Sequence, residues 1–291
     1  RRAKLAALQA GDIQILVGTH AVFQEDVIFR DLRLAIVDEQ HRFGVAQRMA
    51  LGAKGEKADV LVMTATPIPR TLQFSLLSAR DLSIIRTPPP NRQPIHTEVR
   101  IFNEELIKDS IDYEVNRGGQ VFFVHNRIEN IREVAGMLQR LVPDAKIGVG
   151  HGQMEGKKLE QLMLAFMNGE FDVLVSTTII ESGIDIPSAN TIFINRGDHF
   201  GLSQLHQLRG RVGRSEKHAY AYFVIPGSVT LPEPARKRLR ALQEFSDLGA
   251  GFRLAAADLE IRGAGELLGA KQHGHIAALG FDMYCQMLER A

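Results

Sequence analysis

The 291-residue chain holds one cysteine, Cys285, and no tryptophan. A single thiol excludes an internal disulfide and a cysteine-rich metal site, and it fits a reducing, intracellular setting. Charge of one sign is lacking too: 35 Lys and Arg stand against 34 Asp and Glu, a formal net charge of +1. Binding to a polyanion must then rest on local patches. No apolar run reaches the roughly 18 residues that a membrane-spanning helix needs. No secretory leader is visible, and low-complexity tracts are missing. Most tellingly, the pattern G-x-x-x-x-G-K-S/T occurs nowhere. Gly52-Ala53-Lys54-Gly55-Glu56-Lys57 is rich in Gly and Lys, but its spacing is wrong and it has no hydroxyl. A phosphate cradle of that kind needs backbone N–H groups and a lysine at a helix start.

What is present is a series of short apolar runs that each end in polar residues. The length leaves room for two domains with their own cores, and the opening Arg1-Arg2 reads as the start of a piece of a longer protein. Residues 1–88 read as the latter part of one α/β domain, with buried-type strands at Ile13–Val17, Leu34–Val37 and Val60–Met63. Four prolines in the eight residues Thr87–Pro94 exclude helix interior and central strand, so 89–94 reads as a linker. Residues 95–232 alternate again. Strands are expected at Ile95–Ile101, Val121–Val124, Lys146–Val149, Val173–Ser176, Thr191–Asn195 and Ala219–Ile225. Helices are expected at Glu104–Arg117, Glu129–Leu141 and Lys157–Met167. Such alternation predicts parallel sheets. Residues 233–291 read as mostly helical, with helices at Ala235–Phe245 and Leu254–Ile261.

The chemistry sits where these strands end, the place where open α/β sheets bind ligands. Asp38-Glu39 follows Leu34–Val37. An Asp there can hold Mg²⁺, and a Glu can orient an attacking water; alone, the pair is more often an acidic turn. His41 can relay to a neighbouring motif or serve as a structural residue. Thr64-Ala65-Thr66 offers two hydroxyls that can link Asp38-Glu39 to a second domain, or cap a turn forced by Pro67. Gly183-Ile184-Asp185 permits close approach, and Asp185 can bind a ribose or order an arginine, or close a turn before Pro187. His125, Asn126 and Arg127 after Val121–Val124 carry the same ambiguity. His199 and His206 have no partner at metal-ligand spacing, which argues against zinc. Gln207–Arg214 (QLRGRVGR) packs Arg209, Arg211 and Arg214 around Gly210 and Gly213. Guanidinium forks beside small residues suit phosphate, and the run reads as an arginine-finger element.

In this order, the motifs resemble those of the superfamily 2 helicases and translocases. The likeness extends to the RecG and transcription-repair coupling factor (Mfd) families. It rests on Thr64–Leu72 (TATPIPRTL), Gly201–Arg214 (GLSQLHQLRGRVGR) and Asp258–Gly269 (DLEIRGAGELLG). Residues 64–291 look more like the coupling factors; residues 1–63 (DEQHRFGVAQRMALGAKG among them) look more like RecG, and the coupling factors usually carry Glu where Gln40 stands. The resemblance implies two RecA-like parallel-sheet lobes, the first truncated at its N-terminus, and a C-terminal helical hairpin.

The same resemblance implies roles. Asp38 would hold Mg²⁺ and Glu39 would be the catalytic base. Arg211 and Arg214 would be the fingers. Gln207, Gly183, Asp185 and His41 would contact ATP. Thr64, Thr66, Arg238, Arg262 and Gln272 would couple hydrolysis to movement on double-stranded DNA. The expected activity is displacement of stalled RNA polymerase in DNA repair, in the bacterial cytoplasm. RNA polymerase and excision-repair proteins would be bound by domains outside this sequence, and no membrane would be involved. The alternatives are RecG-like remodelling of branched DNA and a non-hydrolysing binding module. Without the phosphate cradle, the chain by itself is expected not to hydrolyse ATP well.

Overall fold

The computed structural model describes residues 2–39, 54, 58–64, 81, 83–85, 87, 92–181, 185–227, 230–247 and 249–262. The chain divides into two compact units, Arg1–Ala65 and Thr66–Ala291. In the first, helix α1 (Arg2–Ala10) precedes two parallel strands, β1 (Leu34–Asp38) and β2 (Asp59–Met63), paired in register from Leu34 with Asp59 to Asp38 with Met63. Lys54 donates to the carbonyls of Gln24 and Val27 at 2.6 and 2.5 Å, so its ammonium serves the local fold. The expected strand at Ile13–Val17 is not formed. The segment has no regular secondary structure, with Ile15 and Val17 82% and 90% exposed. An apolar run becomes a strand only where a neighbour completes its ladder.

The second unit holds a six-stranded, wholly parallel sheet. Its strands are β3 (His96–Ile101), β4 (Gln120–Val124), β5 (Ile147–Gly150), β6 (Val173–Ser176), β7 (Ala189–Asn195) and β8 (Tyr220–Ile225), in the order β3-β8-β7-β4-β6-β5. β4 is central and buried along its whole length. Its side chains alternate between two cores, as the pleat requires. Val121 and Phe123 face α2 (Glu104–Asn116) and α3 (Ile131–Leu141), which bring Ile107, Ile111, Ile131 and Leu138. Phe122 and Val124 face the core of α4 (Gly156–Met167), α5 (Leu202–Arg209), α6 (Glu233–Glu244) and α7 (Gly251–Arg262). Each large apolar side chain so enclosed contributes roughly 1.5–3 kcal/mol relative to exposure.

Local signals set the helix ends. Asn103 caps α2 by accepting from the N–H groups of Glu105 and Leu106 at 2.8 and 3.2 Å, worth about 1 kcal/mol. Gly118 ends that helix at φ +70°, with the N–H groups of Gly118 and Gly119 returning to Val115 and Glu114. Gly119 has a second reason to be glycine: a Cβ there would run into Oε1 of the buried Glu114. Glu114 in turn accepts from Arg117 and from Thr191 Oγ1 on β7, so the buried carboxylate is fully engaged. α6 opens with Pro in its first turn, and α6 and α7 pack together as a hairpin on the sheet. Arg253 closes the hairpin's turn, pairing with Asp247 at 2.9 Å and lying over the Phe245 ring.

Candidate functional site

In the first unit the acidic pair and one threonine come together. Asp38 closes β1 and is exposed. Glu39 extends the ladder by one bond, its N–H donating to Met63 O at 2.9 Å. Its backbone then turns to φ +50°, the left-handed region, at a cost of about 1–3 kcal/mol for a residue with a Cβ. Thr64, directly after β2, donates its hydroxyl to Glu39 Oε2 at 2.6 Å. Parallel pairing of β1 with β2 is what sets these two strand ends side by side. The carboxylate is thereby oriented, the requirement for a group that must position a water. Asp38, an exposed oxygen donor beside it, fits Mg²⁺, which draws most of its ligands from water and phosphate. His41 and Thr66 lie outside the described residues.

In the second unit, parallel pairing brings the carboxyl ends of all six strands to one edge. His125 follows β4, Thr177 follows β6, and Arg196 follows β7. His125 is buried and spans two neighbours. Its Nε2 lies 2.8 Å from Asn130 Oδ1, and its Nδ1 lies 3.0 Å from Asn195 Nδ2. With these partners Nε2 donates and Nδ1 accepts. The imidazole fixes the loop after β4, and Asn126 and Arg127 stay exposed beside it.

The arginine run splits by helix phase. α5 buries Leu202, Leu205, Leu208 and Arg209, while Gln207 lies half-buried. After Gly210 caps the helix, Arg211 is half-buried and Val212 is in the core. Gly213 sits at φ +72°, where a Cβ would lie 3.0 Å from the Ile95 side chain. The loop turns back, and Arg214 donates Nε to Gly210 O at 3.1 Å and its NH1 group to Asp185 Oδ1 at 3.0 Å. Asp185 and Arg214, both expected at the nucleotide, are thus paired. Gly183 lies outside the described residues.

Sequence reasoning passed over Arg209 and the helix that carries it. Arg209 is 3% exposed, and its guanidinium reaches across to the end of α6, donating to Leu242 O at 2.8 Å and Phe245 O at 3.0 Å. A cation on the last carbonyls of a helix is favourably placed. Burial lowers the guanidinium to about 10, which leaves it charged at neutral pH. It also donates to His206 Nδ1 at 3.0 Å. Burial first, and the Arg209 cation second, push that imidazole down to about 3. The signal was available: Arg209 stands four residues after Leu205 and seven after Leu202, on the apolar face.

Arg238 lies on α6 and donates to Asp198 O at 3.2 Å. Arg262 is the last residue of α7. Its side chain, like Gln272, lies outside what is described.

Known proteins bear on this arrangement. The helicase conserved C-terminal domain matches residues 101–216. The transcription-repair-coupling factor of Staphylococcus haemolyticus is 53% identical over 98% of this chain, and that of Staphylococcus aureus (strain USA300) is 52% identical over the same share. The chain spans 24% of the length of each. A structure of RecG bound to a three-way DNA junction superposes with a TM-score of 0.71 at 39% identity, covering 99% of this chain and 38% of that one. Dbp5 of S. cerevisiae, bound to RNA and ADP BeF3, shares the fold at 12% identity, with a TM-score of 0.53 over 93% of this chain and 66% of its own.

Proposed function

The chain is kin to the transcription-repair coupling factors and to RecG, and from that kinship we propose that it is the motor portion of an ATP-driven translocase on double-stranded DNA. In this reading residues 1–88 close the first RecA-like lobe, 89–94 link the lobes, 95–232 form the second lobe, and 233–291 form the translocation hairpin. Asp38 holds Mg²⁺ and Glu39, oriented by Thr64, positions the attacking water. Arg211 and Arg214 stabilise charge on the transferring phosphoryl group, and Gln207, Gly183, Asp185 and His41 contact the nucleotide. Thr66, Arg238, Arg262 and Gln272 pass nucleotide state to the DNA-engaging loop. The phosphate cradle is supplied by residues outside this sequence, so hydrolysis needs the longer protein.

The observation that carries the reading is a glutamate held at the end of a parallel strand and an arginine held on the loop after α5, in a chain 53% identical to a coupling factor. The work of the motor is then to push a stalled RNA polymerase off its template. Polymerase and repair proteins dock on other domains, in the bacterial cytoplasm. DNA contacts are mainly to phosphates, so binding is sequence-independent and weakens with salt. The test uses the intact protein, ATP and RNA polymerase stalled on linear duplex DNA. ATP-dependent release of transcripts is expected.

The match to RecG on a three-way junction favours a second reading, remodelling of branched DNA. No transcript release, together with ATP-dependent unwinding of a branched substrate, moves the assignment there. A preparation with no DNA-stimulated ATP turnover at all points instead to a non-hydrolysing binding module.

A further inference from the structure

We propose that the four-residue turn Arg196–His199 is the seat through which the carboxyl end of β7 drives the helical hairpin, with Asp198 as its positioning residue. The inference rests on the translocase reading. Arg196 is one of two described residues other than glycine at positive φ, at +57° with ψ +49°. That conformation is unfavourable for a side chain with a Cβ, and it persists where surrounding contacts over-determine it. Here they do. Arg196 grips Asp198 with two parallel bonds, Nε to Oδ1 at 3.2 Å and NH2 to Oδ2 at 3.1 Å. The Asp198 side chain is 8% exposed and that of Arg196 37%, so the carboxylate is enclosed while the guanidinium stays partly open to solvent. Gly197 between them is closely packed: a Cβ would lie 3.3 Å from Phe223 of β8 and 3.6 Å from Leu239 of α6. The carbonyl of Asp198 then accepts from Arg238 of α6 at 3.2 Å. Arg238 Nε is buried without a hydrogen-bond partner, so this carbonyl bond is the contact that holds its guanidinium here. A strained turn, a two-bond ion pair and the first helix of the hairpin meet in four residues at the carboxyl edge of the sheet. A shift of β7 on nucleotide binding is passed to α6 without slack.

The test uses the intact protein with duplex DNA, measuring ATP turnover and displacement of a triplex-forming strand. Asp198→Asn breaks the two-bond grip and keeps the backbone carbonyl. Arg196→Gly removes the guanidinium and also relieves the left-handed strain, so misfolding does not explain its effect. Both are expected to lower strand displacement about tenfold at unchanged DNA-stimulated ATP turnover. Combining Asp198→Asn with Arg238→Ala is expected to add no further loss, since the two act along one route. Displacement per ATP equal to that of the parent overturns the proposal. So does a parallel fall in both activities, which marks a structural role only, and so do additive losses in the double variant. A parent protein that displaces no third strand overturns the translocase reading itself and the seat with it.

Discussion

Thr64 Oγ1 holds Glu39 Oε2 at 2.6 Å, across the ends of two paired parallel strands. The contact fixes the carboxylate of a residue whose backbone is already in the left-handed region. Orientation of this kind is felt in turnover and not in substrate affinity. In the intact protein, Glu39→Gln is expected to abolish hydrolysis and leave nucleotide binding in place. Thr64→Ala is expected to lower kcat about tenfold, the worth of one lost charge-assisted bond, with KM little changed. Thr64→Ser keeps the hydroxyl and most of the rate. Steady-state ATP turnover on duplex DNA decides it, and a Thr64→Ala enzyme as fast as its parent removes the hydroxyl from the mechanism.

The Asp185–Arg214 pair separates stability from function. Asp185 is 65% exposed and Arg214 25%, and pairs so solvated contribute at most about 1 kcal/mol. Asp185→Asn is therefore expected to leave the unfolding midpoint nearly unmoved. Arg214→Ala is expected to cut kcat by about 10³-fold or more if the guanidinium acts on the phosphoryl group. Arg214→Lys is expected not to restore it, because a point charge cannot bridge two oxygens as a planar fork does. A kinetic and calorimetric comparison of the three variants tests the split. Full activity in Arg214→Lys assigns Arg214 to charge balance alone.

The second unit was legible because buried parallel strands read as unbroken apolar runs. Val121–Val124, Val173–Ser176 and Thr191–Asn195 each fall within one or two residues of the strand observed. Ile13–Val17 has the same composition and forms no strand, since a run of apolar residues does not contain its ladder partner. α5 was missed because its few turns lie inside a stretch whose residues also read as chemistry. Arg209, Arg211 and Arg214 look equivalent by type and spacing. Helix phase alone turns Arg209 inward, to the end of α6. The strain at Arg196 had no signal, because nothing in Asn195-Arg196-Gly197-Asp198 distinguishes which residue takes the left-handed conformation.

Arg209 is expected to act on the fold and on the hairpin's seating. Arg209→Ala leaves the carbonyls of Leu242 and Phe245 without their donor, a loss of about 1–3 kcal/mol. Lysine recovers little, since one ammonium does not span both carbonyls in the fixed geometry of a fork. Urea unfolding gives the stability change, and hydrogen exchange locates it. Faster exchange confined to the last turn of α6 and the following turn is the expected pattern. Uniform loosening of the whole sheet would assign Arg209 to the core instead.

His206 makes the same contact sensitive to acid. Its Nδ1 accepts from Arg209, so the folded state keeps the ring neutral, and burial with the adjacent cation holds its pKa near 3, against an ordinary value of 6.5. Between those two values the unfolded chain binds a proton that the folded chain refuses. The stabilisation is thus fully present above the unfolded pKa and is lost as pH falls from there toward the folded one. One such proton sets a limiting slope of about 1.4 kcal/mol per pH unit. His206 retains some solvent access, so the observed slope is expected to be shallower. His206→Asn offers an uncharged acceptor that does not titrate, and it is expected to flatten this part of the profile. Denaturant unfolding at pH ~7.5 and ~5 measures it. If parent and variant lose the same stability over that interval, the titrating group lies elsewhere, and the His206–Arg209 bond has no part in the acid response.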